Sequence, residues 1–415
     1  TGSSHPFFDM LRRSALRLAA STSGRRPILH PRTMGRRVPA VRWMSLDLDA
    51  LLEKNRYGGD DKKATLSSIM ASNRYGGSDS GPKQEMDLAP EYPHDIDVGP
   101  LFCVKADRCF LDGGRRCGKY QQGNRNKGML QDLYTSCNET GFFFIYNTMV
   151  LDYTLQDLFE HTLRFHDRHG DAAFKEALRA DPTDCLSPGW TTLKEHPAYD
   201  AGLLANSTSF LVPSKAATGP AARKWPPVEA VGEEFAKDVD RYWDQMDVMA
   251  QQLAKGFATM LDLPEHYFEK IRTEKSLSRL EMIYYPPTQP ASSDISGKET
   301  PGADTDGVLF SIVNQNCPGL QIQDKQGRWC NVRCGSERFI VLIGDVMEML
   351  TDGALKATRH RNVCVPHERV MLTFRAGVDP DVSLKPHEMY DSGEGKYPAI
   401  TQLEHAKARR AKKLL

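Results

Sequence analysis

The sequence predicts a mixed α/β (α+β) fold in which an antiparallel barrel or jelly roll is flanked by helices. One observation is a series of short strand-like segments separated by Gly and Pro turns after Leu277, namely LEMIYYPP, DGVLFSIV, GLQIQ, WCNV, RFIVLIGD and RVMLTFRA. Several short strands at this spacing are typical of antiparallel barrels and jelly rolls. The other is an apolar stripe within residues 229–263, whose steps of three and four predict one long helix packed against the core.

Composition excludes several classes of protein. The 415 residues include 54 Lys and Arg and 54 Asp and Glu, so no global charge indicates binding to nucleic acid. No window approaches 18 uninterrupted apolar residues, so no membrane span is predicted. The nine cysteines are scattered without a CxxC pair, which favours buried thiols in a reducing compartment over a disulfide framework or zinc site.

Residues 1–46 form a basic arm that resembles a presequence. Between Met10 and Ser45 there are nine arginines, no lysine and no acidic residue, with Ser, Ala and Leu between them. This composition is typical of a mitochondrial transit peptide, so we predict a mitochondrial location on the matrix side. A plastid transit segment, or a cytoplasmic protein whose disordered basic arm binds RNA or a partner, are the alternatives.

Residues 47–92 are polar and are predicted to form a linker. The segment NRYGG occurs twice, at 55–59 and 73–77. Two copies are too few for a solenoid. Each copy is interpreted either as a short docking motif for a protein partner, with Tyr and Arg as anchors, or as a chance duplication in a solvated linker.

The remaining chain divides into four predicted regions. Residues 93–227 include a helix that Gly141 ends, followed by the buried strand FFFIY. Residues 228–275 hold the long central helix, and residues 276–388 hold the barrel strands. Residues 389–415 form a basic tail whose last part is predicted to be a solvated terminal helix.

The segment PGADTDGVLF indicates a metal site; the alternatives are a turn aspartate and a core histidine that is bound to a backbone carbonyl. Asp304 and Asp306 stand two positions apart before an apolar run, and side chains at this spacing point to one face of an extended chain. His360, which is 54 residues after Asp306, lies on another strand-like segment that a jelly roll can bring to the same mouth. Two ligands from one strand and one from another form a facial set of three on a metal ion. Arg369 opens RVMLTFRA, where a buried guanidinium needs an anion such as a carboxylate.

In this order and spacing, the segments resemble a known family over about residues 93–388. ETGFFFIYNTMV, KWPPV, IYYPPTQP, GADTDGVLFSIVNQNCPGLQIQDKQGRWCNV, FIVLIGDVMEMLTDGALKATRHRNV and ERVMLTF are similar to the successive motifs of the non-haem Fe(II)- and 2-oxoglutarate-dependent dioxygenases of the isopenicillin N synthase-like branch. The resemblance implies a double-stranded β-helix (jelly roll). It also implies that Asp306 and His360 bind iron, that Arg369 holds the distal carboxylate of 2-oxoglutarate, and that Tyr285 lines the same pocket.

Three departures from the family pattern affect that pocket. Asp304 replaces the first histidine of the metal motif, Met371 replaces a serine, and Ile283 replaces an asparagine. Asp304 as a third ligand would give an oxygen-rich ligand set, which favours harder ions such as Mg²⁺ or Mn²⁺. An aspartate at this position is equally compatible with a site that has lost its metal.

Two functions are therefore predicted as alternatives. The first is an Fe(II)/2-oxoglutarate-dependent oxidoreductase that acts on an unknown small molecule through an altered metal triad. The second is a catalytically inactive member of the same fold that serves as a scaffold or accessory subunit of an organellar assembly. The retained Asp306, His360, Arg369 and Tyr285 favour the enzyme, whereas the three departures favour the scaffold.

Overall fold

A computed structural model describes residues 95–102, 124–148, 150–166, 172–184, 186–192, 207–287, 303–325, 327–335, 338–363 and 365–413. The basic arm and both NRYGG segments lie outside these ranges. Within the described ranges, no helix combines the length and the hydropathy that crossing a bilayer requires.

In these ranges, eleven strands form two sheets. Their bounds are β1 Asp95–Asp97, β2 Phe142–Tyr146, β3 Gly189–Thr192, β4 Thr208–Pro213, β5 Arg279–Tyr285, β6 Phe310–Gln315, β7 Leu320–Gln323, β8 Trp329–Asn331, β9 Phe339–Ile343, β10 His360–Asn362 and β11 Arg369–Ala376. The large sheet has the order β1-β2-β9-β6-β11-β5-β4-β3, and the small sheet has the order β10-β7-β8. The strand pairs are antiparallel, apart from the parallel pair of β1 with β2. The predicted jelly roll with flanking helices is confirmed.

The two sheets enclose a buried apolar cluster. It consists of Phe142, Phe144, Ile283, Tyr285, Val313, Leu320, Ile322, Val332, Ile340, Leu342 and Met371. Eight of these side chains come from alternate positions of the large-sheet strands, because successive residues of a strand point to opposite faces. The other three, Leu320, Ile322 and Val332, come from β7 and from the residue after β8 of the small sheet. The same alternation places Glu281 on the inner face together with Ile283 and Tyr285.

The described part of the chain also has eight α-helices around the sheets: α1 Asn124–Glu139, α2 Asp152–His166, α3 Ala172–Ala177, α4 Val228–Val231, α5 Glu234–Met260, α6 Tyr267–Ile271, α7 Asp345–Leu350 and α8 Gln402–Lys413. The predicted central helix is α5, and its apolar stripe covers the outer face of the large sheet. Phe257 contacts Phe310 at 5.2 Å between ring centroids, and Trp243 contacts Phe374 at 5.4 Å. The large sheet is therefore buried on both faces, which explains its nearly continuous apolar strands.

The end of α1 and the start of β2 follow the sequence prediction. Gly141 adopts φ 81° after α1, a left-handed conformation that suits glycine, and the buried strand β2 follows directly.

The four cysteines within the described ranges are all free thiols, and three of them are buried.

The prediction that the C-terminal helix is solvated is wrong. Gln402 is buried, and its amide nitrogen donates to the Gly307 carbonyl at 2.9 Å. Arg409 reaches the segment 304–305 and Asp345. A Cβ on Gly307 would come within 2.6 Å of the Arg409 side chain, so the glycine leaves room for this contact. The basic composition suggested solvation, but one face of α8 is bound to the barrel.

Stability should fall in mild acid because of His166. The Thr208 hydroxyl donates to its Nδ1 at 2.7 Å, and its Nε2 lies 3.2 Å from the Met282 carbonyl, which matches a neutral ring. Burial, aided by Lys175, lowers the pKa of His166 to about 3. Below about pH 6.5 His166 therefore binds a proton in the unfolded chain but not in the folded chain. The free energy of unfolding decreases as the pH falls.

Between pH 7 and pH 5 this effect should remove about 2 kcal/mol from the free energy of unfolding. Urea titrations of the wild type and of His166→Gln at both pH values measure it. The variant should lose less stability over this interval than the wild type, and equal losses would contradict the assignment to His166.

Candidate functional site

His360 has the ring orientation that a metal ligand requires. It lies on β10, where backbone hydrogen bonds of 2.9 Å in both directions pair it with Asp304. Its Nδ1 lies 3.0 Å from the Thr358 carbonyl, and because a carbonyl can only accept, Nδ1 carries the hydrogen. In the neutral ring the Nε2 lone pair is then available, and Nε2 points to Asp306 Oδ1 at 3.7 Å.

Asp306 is buried and forms an ion pair with Arg375. Its Oδ1 accepts a very short hydrogen bond from Arg375, and its Oδ2 accepts one from the Ser311 hydroxyl at 2.6 Å. Burial raises the pKa of the Asp306 carboxyl, but Arg375, His360 and Ser311 together hold it well below its usual range. The carboxylate is therefore ionised, as a metal ligand must be.

Asp304 forms an ion pair with Arg409. Its Oδ2 accepts from Arg409 Nη2 at 2.7 Å, and the same nitrogen donates to the Thr305 carbonyl at 2.5 Å. Arg409 also binds Asp345, whose carboxylate lies 3.2 Å from His405 Nε2. In this structure Asp304 and Asp306 therefore pair with different arginines, and a metal shared by both carboxylates stays a prediction.

Arg369 is fully buried between the two sheets. Its Nη1 donates to Gln315 Oε1 of β6 at 3.1 Å, and its Nη2 donates to Asn362 Oδ1 of β10 at 2.8 Å. Gly319 makes room for it, because a Cβ there would lie 2.8 Å from Arg369 Nε. These two amides fix the plane of the guanidinium inside the barrel.

Tyr285 lies beside Arg369, as predicted. The guanidinium carbon is 3.8 Å from the Tyr285 ring centroid, so the interaction is mainly with the ring face. The buried hydroxyl has no well-aligned hydrogen-bond partner among the described residues, and the same holds for the Thr373 hydroxyl. Burial raises the pKa of Tyr285 to about 12, an effect that Arg369 partly offsets. The phenol is therefore a neutral donor at ordinary pH.

The departures Met371 and Ile283 belong to the apolar cluster. They are directly paired across β11 and β5, and both are buried. They therefore make the wall next to Tyr285 apolar, where a serine and an asparagine would offer hydrogen bonds.

Sequence reasoning missed Arg375, Glu281 and Arg409. Arg375 donates to Glu281 Oε2 at 3.1 Å as well as to Asp306, so the two acids share one guanidinium. The alternation of β11 could have found Arg375, since it lies on the same face as Arg369 and Met371. The sequence offers no comparable signal for Arg409, which reaches the site from a distant helix.

The structure thus brings Asp306 and His360 together, and it places Arg369 beside Tyr285. Among the residues that the structure describes, no group of three or more His, Cys, Asp or Glu side chains is arranged to hold a metal ion. Metal binding by Asp304, Asp306 and His360 stays a prediction.

The family model and the curated relatives that match this chain indicate the same family of oxygenases. Residues 277–378 match the sequence model of the 2OG-Fe(II) oxygenase superfamily. The chain is 25% identical over 287 residues to the 2-oxoglutarate-Fe(II) type oxidoreductase ppzC of Metarhizium majus, a match that covers 64% of this chain and 72% of that protein. It is 29% identical over 255 residues to gibberellin 2-beta-dioxygenase 3 of Arabidopsis thaliana, a match that covers 59% of this chain and 71% of that protein.

The fold is also shared with solved structures. A full-length Neurospora crassa protein that was crystallised in complex with alpha-KG superposes with a TM-score of 0.62 at 16% identity, covering 76% of this chain and 95% of that one. At this identity the similarity supports the fold alone. The family match over residues 277–378 and the curated relatives agree, so this part of the chain is similar to the 2OG-Fe(II) oxygenase superfamily.

Proposed function

We propose that this protein is a 2-oxoglutarate-dependent oxidoreductase that oxidises a small molecule. The observation that carries the proposal is the buried pair of Arg369 and Tyr285, which lies in the same barrel as His360 and Asp306. The relatives that are named as 2-oxoglutarate-Fe(II) oxidoreductases support it.

The polar groups around Arg369 suit the distal carboxylate of 2-oxoglutarate chemically. The Arg369 fork matches a carboxylate, and the Tyr285 hydroxyl can donate a further hydrogen bond. The Thr373 hydroxyl is a second buried polar group without a partner among the described residues. Buried polar groups of this kind need a ligand or a water, so a polar guest would stabilise this interior.

Fe(II) fits two of the three predicted ligands. His360 offers the Nε2 lone pair and Asp306 offers an ionised carboxylate, whereas Asp304 is held by Arg409. A metal at Asp306 would compete with Arg375, which would keep Glu281 as its remaining carboxylate. When bound, Fe(II) would activate dioxygen, the oxidant, and 2-oxoglutarate would give two of the four electrons that reduce it, the C–H bond of the substrate giving the other two.

Residues of the chain orient His360 and Asp306 and keep water away from the wall beside Tyr285. Thr358 fixes the tautomer of His360, and Ser311 fixes the rotamer of Asp306. Met371 and Ile283 keep the wall beside Tyr285 apolar, which strengthens the attraction between Arg369 and a carboxylate.

The test uses the full chain with Fe(II), ascorbate and 2-oxoglutarate. Bound iron is measured without oxygen, and succinate is then followed after oxygen is admitted. The proposal expects bound iron and succinate release, even when no substrate is added. Folded protein that binds neither iron nor 2-oxoglutarate would overturn it.

Asp304→His should raise the affinity for Fe(II) at least tenfold, which is about 1.4 kcal/mol. A neutral imidazole does not attract Arg409 and gives the metal a third ligand. Asp304→Asn is the matched control, because it also removes the pairing charge but adds no strong ligand. Anaerobic titration with Fe(II) measures both variants, and equal affinities for the two would contradict this prediction.

A silent scaffold is the second candidate, and two ion pairs favour it. Arg375 neutralises Asp306 and Arg409 neutralises Asp304, so both carboxylates already have cations from the protein. An accessory subunit of an organellar assembly would need no metal. Absence of iron binding in both the wild type and Arg375→Met would support this candidate.

We also propose that residues 1–46 direct the protein to the mitochondrial matrix. The support is the composition of that arm, with nine arginines and no acid between Met10 and Ser45. A fluorescent protein that carries these residues should enter mitochondria, and a variant with the arginines changed to glutamine should not. Uniform fluorescence of the unchanged fusion would contradict this assignment.

A further inference from the structure

Asp304 and His360 present their side chains to the same side of the barrel wall. They exchange both backbone hydrogen bonds of an antiparallel bridge, each at 2.9 Å. Residues that lie opposite each other in this way have their Cβ atoms about 5 Å apart on one face. His360 in turn points its Nε2 to Asp306 Oδ1 at 3.7 Å. The backbone therefore places Asp304 next to this pair, and the rotamer of its side chain decides where the carboxylate lies.

Arg409 of α8 holds that rotamer. Its Nη2 donates to Asp304 Oδ2 at 2.7 Å and to the Thr305 carbonyl at 2.5 Å. Its Nη1 donates to the Thr305 hydroxyl at 3.1 Å and also to Asp345. The guanidinium would therefore keep Thr305 and Asp345 as partners if the Asp304 carboxylate turned away.

The ion pair of Asp304 with Arg409 is more open to water than that of Asp306 with Arg375. The side chains of Arg409 and Asp304 are 22% and 31% exposed, whereas those of Arg375 and Asp306 are 9% and 6% exposed. Water can solvate the separated charges of an exposed pair, but opening a buried pair leaves an unpaired charge inside the protein. Asp304 can therefore leave its arginine at a much lower free-energy cost than Asp306 can.

Gly307 lets Arg409 lie close to this segment. A Cβ at this position would come within 2.6 Å of Arg409 Cδ and 3.0 Å of its Nε. The atoms in the way belong to the far part of a long side chain, so an alanine here would displace Arg409 and leave the backbone in place. The contact between the helix and Asp304 thus depends on a residue without a side chain.

We propose that Arg409 is a latch on the metal site: it holds Asp304 away from the metal, and its release lets Asp304 join His360 and Asp306 as a third ligand. The metal is the Fe(II) of the oxygenase, so the latch rests on the proposed function. With the latch closed, two side chains bind the metal, and with the latch open, three side chains bind it. The position of α8 therefore regulates the affinity of the site for metal.

The experiment measures the binding of Mn²⁺ to the full chain through the electron paramagnetic resonance signal of free Mn²⁺. Mn²⁺ accepts carboxylate ligands readily and does not react with oxygen in the assay. Arg409→Gln should tighten the binding of Mn²⁺ about tenfold or more, because it frees the Asp304 carboxylate. Lys407→Gln removes an exposed positive charge from the same helix and is the control, whose affinity should stay within about twofold of the wild type.

Gly307→Ala is the second variant, since it displaces Arg409 without removing any charge. It should also tighten the binding of Mn²⁺, by more than the about twofold spread that independent changes show. Gly128→Ala is its matched control, because an added Cβ there would contact nothing within 4 Å. Urea titration checks that each variant folds.

Asp304→Asn separates the third ligand from the loss of a nearby positive charge. In this background Arg409→Gln should change the affinity for Mn²⁺ by no more than about twofold. An equally large gain with and without the Asp304 carboxylate would overturn the latch. Binding of Mn²⁺ that stays unchanged or weakens in both Arg409→Gln and Gly307→Ala would overturn it as well.

The latch and the oxygenase function fail in different ways. Succinate formation by the wild type, with no gain in Mn²⁺ affinity in the two variants, would overturn the latch alone. Tighter binding of Mn²⁺ in both variants, without succinate formation by the wild type or by either variant, would uphold the latch and overturn the oxygenase function.

Discussion

Arg375→Met should lower the free energy of unfolding by about 3–5 kcal/mol, because it leaves the buried Asp306 carboxylate without its arginine and leaves Glu281 with Arg279 alone. Arg375 contacts both Asp306, which is 5% exposed, and Glu281, which is 2% exposed. Urea titration at pH 7.5 measures the loss. Arg328→Met is the matched control: Arg328 is about half exposed in its pair with Asp324, and its loss should stay below about 1 kcal/mol.

A second change separates the charge effect from lost packing. Asp306→Asn in the Arg375→Met background removes the carboxylate that has lost its arginine and should recover part of the stability. The loss should also shrink in acid, because a carboxylate without a cation takes up a proton more readily. A loss below about 1 kcal/mol, or no recovery in the double variant, would show that Arg375 does not stabilise the barrel in this way.

Arg369→Lys should weaken 2-oxoglutarate binding by about thirtyfold or more, which corresponds to at least about 2 kcal/mol. Lysine keeps the charge but loses the planar fork that Gln315 and Asn362 hold in place. Calorimetric titration of the full chain with 2-oxoglutarate measures the change.

Tyr285→Phe should have a smaller effect, of about 1 kcal/mol, since it removes one neutral donor and leaves the ring under Arg369. Arg328→Met again serves as the control for a distant arginine. If Arg369→Lys folds and binds 2-oxoglutarate as tightly as the wild type does, then Arg369 is a structural residue of the barrel.

Much of the fold could be predicted because its signals are local. The apolar stripe of α5 repeats every three to four residues, and Gly141 stands where α1 must end. The neighbourhood of Arg369 and Tyr285 followed from the family resemblance, and the pairing of β11 with β5 places them opposite each other. Both kinds of information are present in short segments of sequence.

The partners of the charged residues could not be predicted in the same way. Asp304 and Asp306 are two residues apart, and the spacing alone suggested a common ligand. Only the tertiary structure decided that Arg409, 105 residues away, pairs with one and that Arg375, 69 residues away, pairs with the other. An ion pair depends on where the whole chain places two side chains, because charge attraction carries no sequence period.

The sequence by itself therefore determined the α+β class, the order of the main strands and helices, and the similarity to the 2OG-Fe(II) oxygenases. The tertiary structure decided which of the predicted site residues can act together. It brought His360 and Asp306 together and paired Asp304 with Arg409 of the C-terminal helix. The physical reason is that backbone periodicity is local, whereas the environment of a buried charge is assembled from segments that meet only after folding.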